Sequence, residues 1–253
     1  VSYNGENANS ATGGNRIFGL IGAKLSHSFS KQYFTEKFQK LGLQNYRYEL
    51  FELTRIEDVK ELLKSENLRG LNVTIPYKTQ IIPFLTRLDA KAHKIGAVNT
   101  VKITQEGETV GYNTDYDGFQ HTLERFQLSL RTKALIIGKG GAAKAVSAVF
   151  EYKGIEHKFL TRQDLQSENQ EILVEEVSNA QVIVNATPLG MYPDIASFPA
   201  LPYERIMRKH VVIDLVYNPE NTLFLQKSDT PYKVNGLPML YAQAEKAWEI
   251  FGE

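Results

Sequence analysis

A glycine-rich turn is the element here whose residue types and spacing suit chemistry. The apolar run Lys133–Ile137 leads straight into Gly138-Lys139-Gly140-Gly141-Ala142-Ala143-Lys144-Ala145, then into a small-residue helix reaching about Tyr152. A tight turn at Gly138 and a bare backbone at Gly140 would let a pyrophosphate approach the N-terminus of that helix. The third position of the G-x-G-x-x-G spacing is Ala143, where a small side chain suffices for close helix–strand packing. A plain strand-to-helix turn of packing residues is the other reading, and the flanks on both sides favour the nucleotide. No Gly-Lys-Ser/Thr closes a phosphate loop of the ATPase or GTPase kind. After the next strand, where NAD sites carry an acid for the ribose, the chain has Thr161-Arg162. A guanidinium there can pair with a 2′-phosphate, which favours NADP, whereas Asp164 would reach a ribose only in another register. Lys78 follows the break at Pro76, at the mouth of an expected strand, and Asp115 lies in the polar stretch Asn113-Thr114-Asp115 at an expected domain junction. An ammonium and a carboxylate meeting in a half-closed cleft can hold a substrate hydroxyl and move its proton. Taken alone, the same two residues read first as a solvated lysine at a helix start and a helix N-cap.

These residues need a scaffold, and the apolar pattern supplies one. Strands are expected at 17–21, 46–51, 70–75, 97–103, 108–112, 133–137, 157–161, 182–185 and 211–215. Helices are expected at 30–41, with Gly42 as C-cap, and at 56–64, 78–95, 117–127 and 238–251. Pro83 would kink the third of these or start a new helix, and the last would turn Leu240, Ala244, Ala247 and Ile250 or Phe251 inward. Strand and helix alternate, which argues an α/β layered architecture.

Composition narrows the function. With 253 residues the chain has room for one to two domains. Lys plus Arg and Asp plus Glu are 29 each, so a protein built to coat nucleic acid or an anionic membrane is disfavoured. There is no cysteine, which removes disulfides, thiolate catalysis, cysteine-based zinc sites and iron–sulfur clusters. His27, His93, His121, His157 and His210 make no ligand spacing, so no metal is expected. His27 has no triad-type partner in sequence and reads as structural. No apolar run approaches the roughly 20 residues of a membrane span. Residues 1–15 are polar and rich in Gly, Asn and Ser, and read as a disordered or non-native tail, not a signal peptide.

Several segments together resemble the shikimate/quinate dehydrogenase family: HSFS at 27–30, GLNVTIPYK at 70–78, GAVNT at 96–100, GYNTDYDGF at 111–119, GKGGAAKAV at 138–146, NATPLGM at 185–191, DLVYNP at 214–219 and GLPMLYAQA at 236–244. They spread over residues 17–251. The resemblance implies two α/β domains flanking a groove. A substrate domain would comprise 16–113 completed by the returning C-terminal helix, 237–253, and a Rossmann-like NADP-binding domain would comprise 114–236. It implies an NADPH-dependent, reversible reduction of 3-dehydroshikimate to shikimate, a cytoplasmic step towards chorismate and the aromatic amino acids, with an NAD-dependent quinate/shikimate dehydrogenase as the alternative. The partners implied are the small-molecule substrate and NADP, with no nucleic acid and no membrane, in a monomer or homodimer.

The same resemblance makes Lys78 and Asp115 the catalytic pair, with Lys78 handling the proton and Asp115 orienting it. It places Ser28, Ser30, Asn72, Thr74, Asn99, Tyr217 and Gln243 on the substrate. It places Gly138, Lys139, Gly140, Gly141, Ala142, Thr161, Arg162, Asn185, Ala186, Thr187, Gly236 and Met239 on the cofactor, Met239 also suiting plain core packing. The chain departs from the family pattern at Lys139, where a small residue is common, and at Thr161-Arg162-Gln163, where Asn-Arg-Thr is common. Tyr116 and Pro238 also replace residues that are often small.

Overall fold

The computed structural model describes residues 14–25, 28–129, 131–166 and 170–252. The tail up to residue 13 and His27 lie outside them. Two sheets account for the chain. The first is built from β1 (Arg16–Gly22), α1 (Phe29–Lys40), β2 (Tyr46–Glu52), α2 (Val59–Leu62), β3 (Leu68–Val73), β4 (Arg87–Leu88), α3 (Ala90–Ile95), β5 (Thr100–Ile103) and β6 (Thr109–Tyr112). Its strand order is β2-β1-β3-β5-β6-β4, parallel across β2, β1 and β3 and antiparallel from β3 to β5 to β6. α4 (Thr114–Leu123) then leads to a second sheet. That unit contains β7 (Lys133–Ile137), α5 (Gly141–Tyr152), β8 (Glu156–Leu160), α6 (Arg162–Leu165), α7 (Gln170–Asn179), β9 (Val182–Asn185), β10 (Val211–Asp214), α8 (Leu223–Lys227) and β11 (Tyr232–Val234). Its order is β11-β10-β9-β7-β8, parallel throughout. The mixed α/β class and the Rossmann-like sheet match the sequence expectation.

Burial explains the elements. The middle strands of the second sheet, β7, β9 and β10, are covered on both faces and read as continuous apolar runs, as parallel strands do. α5 brings Ala143, Ala145 and Ala148 to its buried side, and these small side chains let it lie close to the sheet. α9 (Leu237–Phe251) returns to the first sheet. There Phe251 joins Phe18, Phe34 and Phe38 in one cluster, and Gly70 leaves the space its ring fills: a Cβ on Gly70 would lie 2.4 Å from Phe251. Phe251, not Ile250, is the buried member of that pair, and Met239 is buried where Leu240 is half-buried. No helix among the described residues is long and apolar enough to cross a membrane.

Some boundaries differ from expectation, each for a local reason. The helix expected over 78–95 is a turn, a short 3₁₀ segment at Ile82–Phe84, the edge strand β4 and then α3. Pro83 has no N–H to continue a helix, Arg87 and Leu88 pair with Val110 and Gly111, and Asp89 caps α3 through Ala92 N at 2.8 Å. The strand expected from Ala97 begins at Thr100, because Val98 N is spent on Lys78 O at 2.7 Å. The helix expected over 117–127 runs over 114–123, because Asn113 caps it by accepting from Tyr116 N. Tyr116 is buried in the core with the Lys91 ammonium 4.3 Å from its ring centre. Pro238 occupies the first turn of α9, where a missing N–H costs nothing.

Candidate active site

Lys78 lies in the turn that follows β3, and Asp115 in the first turn of α4, so the earlier helix start matters: it aims the carboxylate back at the strand ends. Lys78 Nζ donates to Asp115 Oδ2 at 2.5 Å, with the two side chains only 17% and 8% exposed. A lysine ammonium has three donors, and among the described residues this is its one protein acceptor. Asp115 Oδ1 is held separately by Asn99 Nδ2 at 3.0 Å. The carboxylate is thus fixed by one neutral donor and one cation, which leaves the ammonium two N–H bonds for a ligand oxygen.

Asn99 opens a buried polar chain. Its Oδ1 accepts from Thr114 N at 2.7 Å, and its neighbour Thr100 accepts from Asn72 Nδ2 at 3.2 Å. Asn72 Oδ1 accepts from the Tyr48 hydroxyl at 2.7 Å, and Ser30 lies beside that phenol. Burial pushes the Tyr48 phenol well above its ordinary value, against the pull of Ser30, so it stays a neutral donor. Buried polar atoms need partners, and none among the described side chains lacks one. Gln243 reaches in from α9, accepting from Thr114 Oγ1 at 3.4 Å. Ser28 caps α1 through Lys31 N, and Thr74 is half-buried beside Gly22. From the second sheet, Tyr217 meets Phe29 edge-on at 6.3 Å, and burial raises its phenol too. Lys78, Asp115, Asn99, Asn72 and Gln243 therefore belong to one connected cluster, and Ser30 lies at its Tyr48 end. Tyr48, Thr100 and Thr114 are its members that sequence reasoning missed. Tyr48 lies in an alternating strand that offered no signal, whereas Thr100 and Thr114 fell inside quoted motifs.

The glycine turn faces this cluster. Gly138 has φ +103°, and a Cβ there would lie 2.9 Å from Thr187. Gly140 is open, with nothing within 4 Å of a Cβ position, and it begins α5 with no side-chain cap. Gly141 packs on the catalytic candidate itself: a Cβ would lie 3.0 Å from Lys78 Cβ. Ala142 follows in the first turn, half-buried. Asn185 Oδ1 accepts from both Thr187 N and Thr187 Oγ1, at 3.1 and 2.6 Å, and Ala186 N is tied to Ile137 O. Gly236 is buried against Leu215, while Met239 is packed in the core and touches Gly118. At the far end Lys139 and Arg162 are exposed. Thr161 caps α6 together with Asp164, whose Oδ2 accepts from Thr161 N at 2.7 Å and Thr161 Oγ1 at 2.6 Å. Those bonds, with Lys139 and Lys158 nearby, hold the Asp164 carboxyl below its usual range.

Known proteins resemble this chain over most of its length. The family profile described as the shikimate dehydrogenase substrate binding domain matches residues 20–101. A shikimate dehydrogenase (NADP(+)) from Desulforamulus reducens is 34% identical over 94% of this chain and 90% of its own. One from Methanococcus maripaludis is 37% identical over 93% and 91%. Among solved structures, a shikimate dehydrogenase in complex with NADP+ superposes with a TM-score of 0.80 at 32% identity, covering 94% of this chain and 90% of that one. The Thermus thermophilus enzyme in complex with NADP(H) and shikimate does so at 0.75 and 30%, covering 93% of each.

Proposed function

The chain belongs to the shikimate dehydrogenase family, and on that premise we propose that it catalyses the reversible, NADP(H)-dependent reduction of 3-dehydroshikimate to shikimate in the cytoplasm. The observation that carries the reading is the Lys78–Asp115 pair, with two ammonium N–H bonds to spare, at the contact between the polar cluster and the glycine turn. Residues 16–113 with 237–253 serve as the substrate domain, and 114–236 as the cofactor domain.

A polyol carboxylate needs many donors and acceptors in a fixed pattern, and each one missed in a closed site costs about 1–3 kcal/mol. Ser28, Ser30 and Tyr217 take the carboxylate. Asn72, Thr74, Asn99 and Gln243 take the ring hydroxyls. Lys78 donates a proton to the carbonyl oxygen as it becomes an alcohol, and accepts it in the reverse direction. Asp115 is the positioning carboxylate: bonded to both Lys78 and Asn99, it fixes the ammonium where the reacting oxygen lies.

The residues of the other half fit a dinucleotide. Gly138, Gly140, Gly141 and Ala142 present backbone at an open helix start, as a pyrophosphate requires. Asn185, Ala186, Thr187, Gly236 and Met239 flank the nicotinamide end. Asp164 has one oxygen saturated by Thr161, while Lys139 and Arg162 remain exposed as cations. That arrangement supports a 2′-phosphate, and hence NADP. When bound, NADPH supplies the hydride.

The test is the near-ultraviolet absorbance of NADPH formed from shikimate and NADP+. Shikimate-dependent formation, lost in Lys78→Ala, is the expected result. Faster turnover with NAD+ or quinate would move the reading to the alternative. A folded protein that binds nucleotide yet turns over none of these pairs would sink it.

A further inference from the structure

Asp214 is a carboxylate with no exposed surface, at the end of the apolar strand β10. Its Oδ1 accepts from Asn185 Nδ2 at 2.9 Å and from Val216 N at 3.0 Å, and its Oδ2 accepts from Thr222 Oγ1 at 2.5 Å. Asn185 passes the constraint on through both of its bonds to Thr187, whose methyl group lies beneath the Gly138 turn. Val216 precedes Tyr217, and its carbonyl accepts from Gly236 N at 3.0 Å. One side chain therefore braces the loops that leave the carboxyl ends of β9 and β10, where parallel sheets bind their ligands.

We propose that Asp214 is a positioning residue for both ligands: its buried carboxylate holds the loop carrying Thr187 and the loop carrying Tyr217 as one unit, so that cofactor and substrate contacts are presented together. The proposal rests on the reading of Thr187 and Tyr217 as ligand contacts. Stability alone does not account for this residue. Burial pushes its carboxyl up to about 6, so at neutral pH the fold holds a charge that an apolar side chain would spare it. What the carboxylate supplies is acceptors aimed at three separate segments.

The experiment measures kcat, both KM values and the melting temperature for wild type, Asp214→Ala, Asp214→Asn and Thr222→Val. Asparagine keeps an oxygen for Asn185 and Val216, and presents an N–H₂ that the Thr222 hydroxyl can accept. Asp214→Ala is expected to raise the KM for NADP+ and for shikimate about tenfold each, the loss of roughly one hydrogen bond's worth of placement. Asp214→Asn is expected to stay within about threefold of wild type, since it keeps the acceptor for Asn185 and Val216 and a bond to Thr222 without the charge. Thr222→Val keeps the carboxylate but frees one oxygen, and a rise of both KM values by about threefold is expected, which serves if the alanine variant does not fold. A lowered melting temperature with both KM values unchanged would overturn the proposal. So would an Asn variant as impaired as the Ala variant, because charge and not placement would then be at work. Wild-type turnover in the same assay reports on the functional reading by itself. If it fails, NADP+ dissociation constants of the same variants still decide whether Asp214 places Thr187.

Discussion

Around the proposed substrate site, polar side chains hold one another: Tyr48 on Asn72, Asn72 on Thr100, Asn99 on Asp115 and Asp115 on Lys78. In the facing half the mouth is mostly backbone, with a left-handed Gly138, an open Gly140 and two exposed cations. The difference follows from what each side must recognise. A small ring with hydroxyls is told from its analogues only by directional donors and acceptors, which must be buried and mutually fixed. A pyrophosphate is bound by N–H groups at close range, so there the requirement is absence of side chain. The halves meet where Gly141 packs on Lys78, and substitutions on either side should read out differently.

The largest effect should come at that meeting point. Lys78→Ala removes the proposed proton donor, and kcat is expected to fall by roughly 10²–10⁴, with the KM for NADP+ little changed. Equal losses in NADP+ binding and in kcat would mean the two halves are not separable in this way. Next comes Gly138→Ala. A Cβ at φ +103° and 2.9 Å from Thr187 costs about 1–3 kcal/mol. The KM for NADP+ should rise roughly 5- to 150-fold by that amount, while shikimate affinity holds. An unchanged KM for NADP+ in a folded variant would remove the turn from the cofactor site.

How far each half was legible in the sequence follows the same division. Gly138 and Gly140 announce a backbone requirement, because glycine after an apolar strand has few other uses, and Lys133–Ile137 needed no partner to be read as a buried strand. The network was harder. Asn72, Asn99, Lys78 and Asp115 were reached through motif resemblance, because nothing local says that Asn99 will bond to Asp115. Tyr48 bonds to Asn72 and Asp214 to Asn185, each remote in sequence, and Asp214 stood in the quoted DLVYNP segment with nothing to mark those contacts. The helix expected over 78–95 failed because Arg87 and Leu88 found a strand partner at Val110 and Gly111, which local periodicity cannot show. α7, α8 and β11 were not anticipated, their apolar positions being too few to stand out.

Smaller effects sharpen the contrast. Arg162→Ala should raise the KM for NADP+ about tenfold, one charge-assisted contact at an exposed site, and leave the KM for NAD+ alone. Equal effects on both cofactors would take Arg162 away from the 2′-phosphate. Tyr48→Phe leaves Asn72 Oδ1 without its phenol donor. Stability should fall by about 1–3 kcal/mol, and the KM for shikimate should rise several-fold while that for NADP+ does not move. A shift in the NADP+ value instead would show that the buried chain extends past Asp115 into the other half.

The last prediction concerns a place where the cofactor half does rely on a buried side chain. Burial raises the Asp214 carboxyl from 3.8 to about 6, against the pull of Thr222, Val216 and Asn185, and Tyr203 is the titratable neighbour, its own phenol pushed up by burial. A carboxyl whose pKa is higher folded than unfolded binds its proton more tightly in the native state. Its favourable contribution is therefore complete below the unfolded value and is lost as pH rises through about 6. The shift from 3.8 to about 6 corresponds to about 3 kcal/mol at most. Asp214→Asn has no such proton to lose. The melting temperature of that variant, minus that of wild type, should become more positive by several degrees between about pH 4 and pH 8. Thermal melts across that range decide it: a difference independent of pH would mean that Asp214 is no more costly to ionise in the fold than in the open chain, its three donors then offsetting its burial in full.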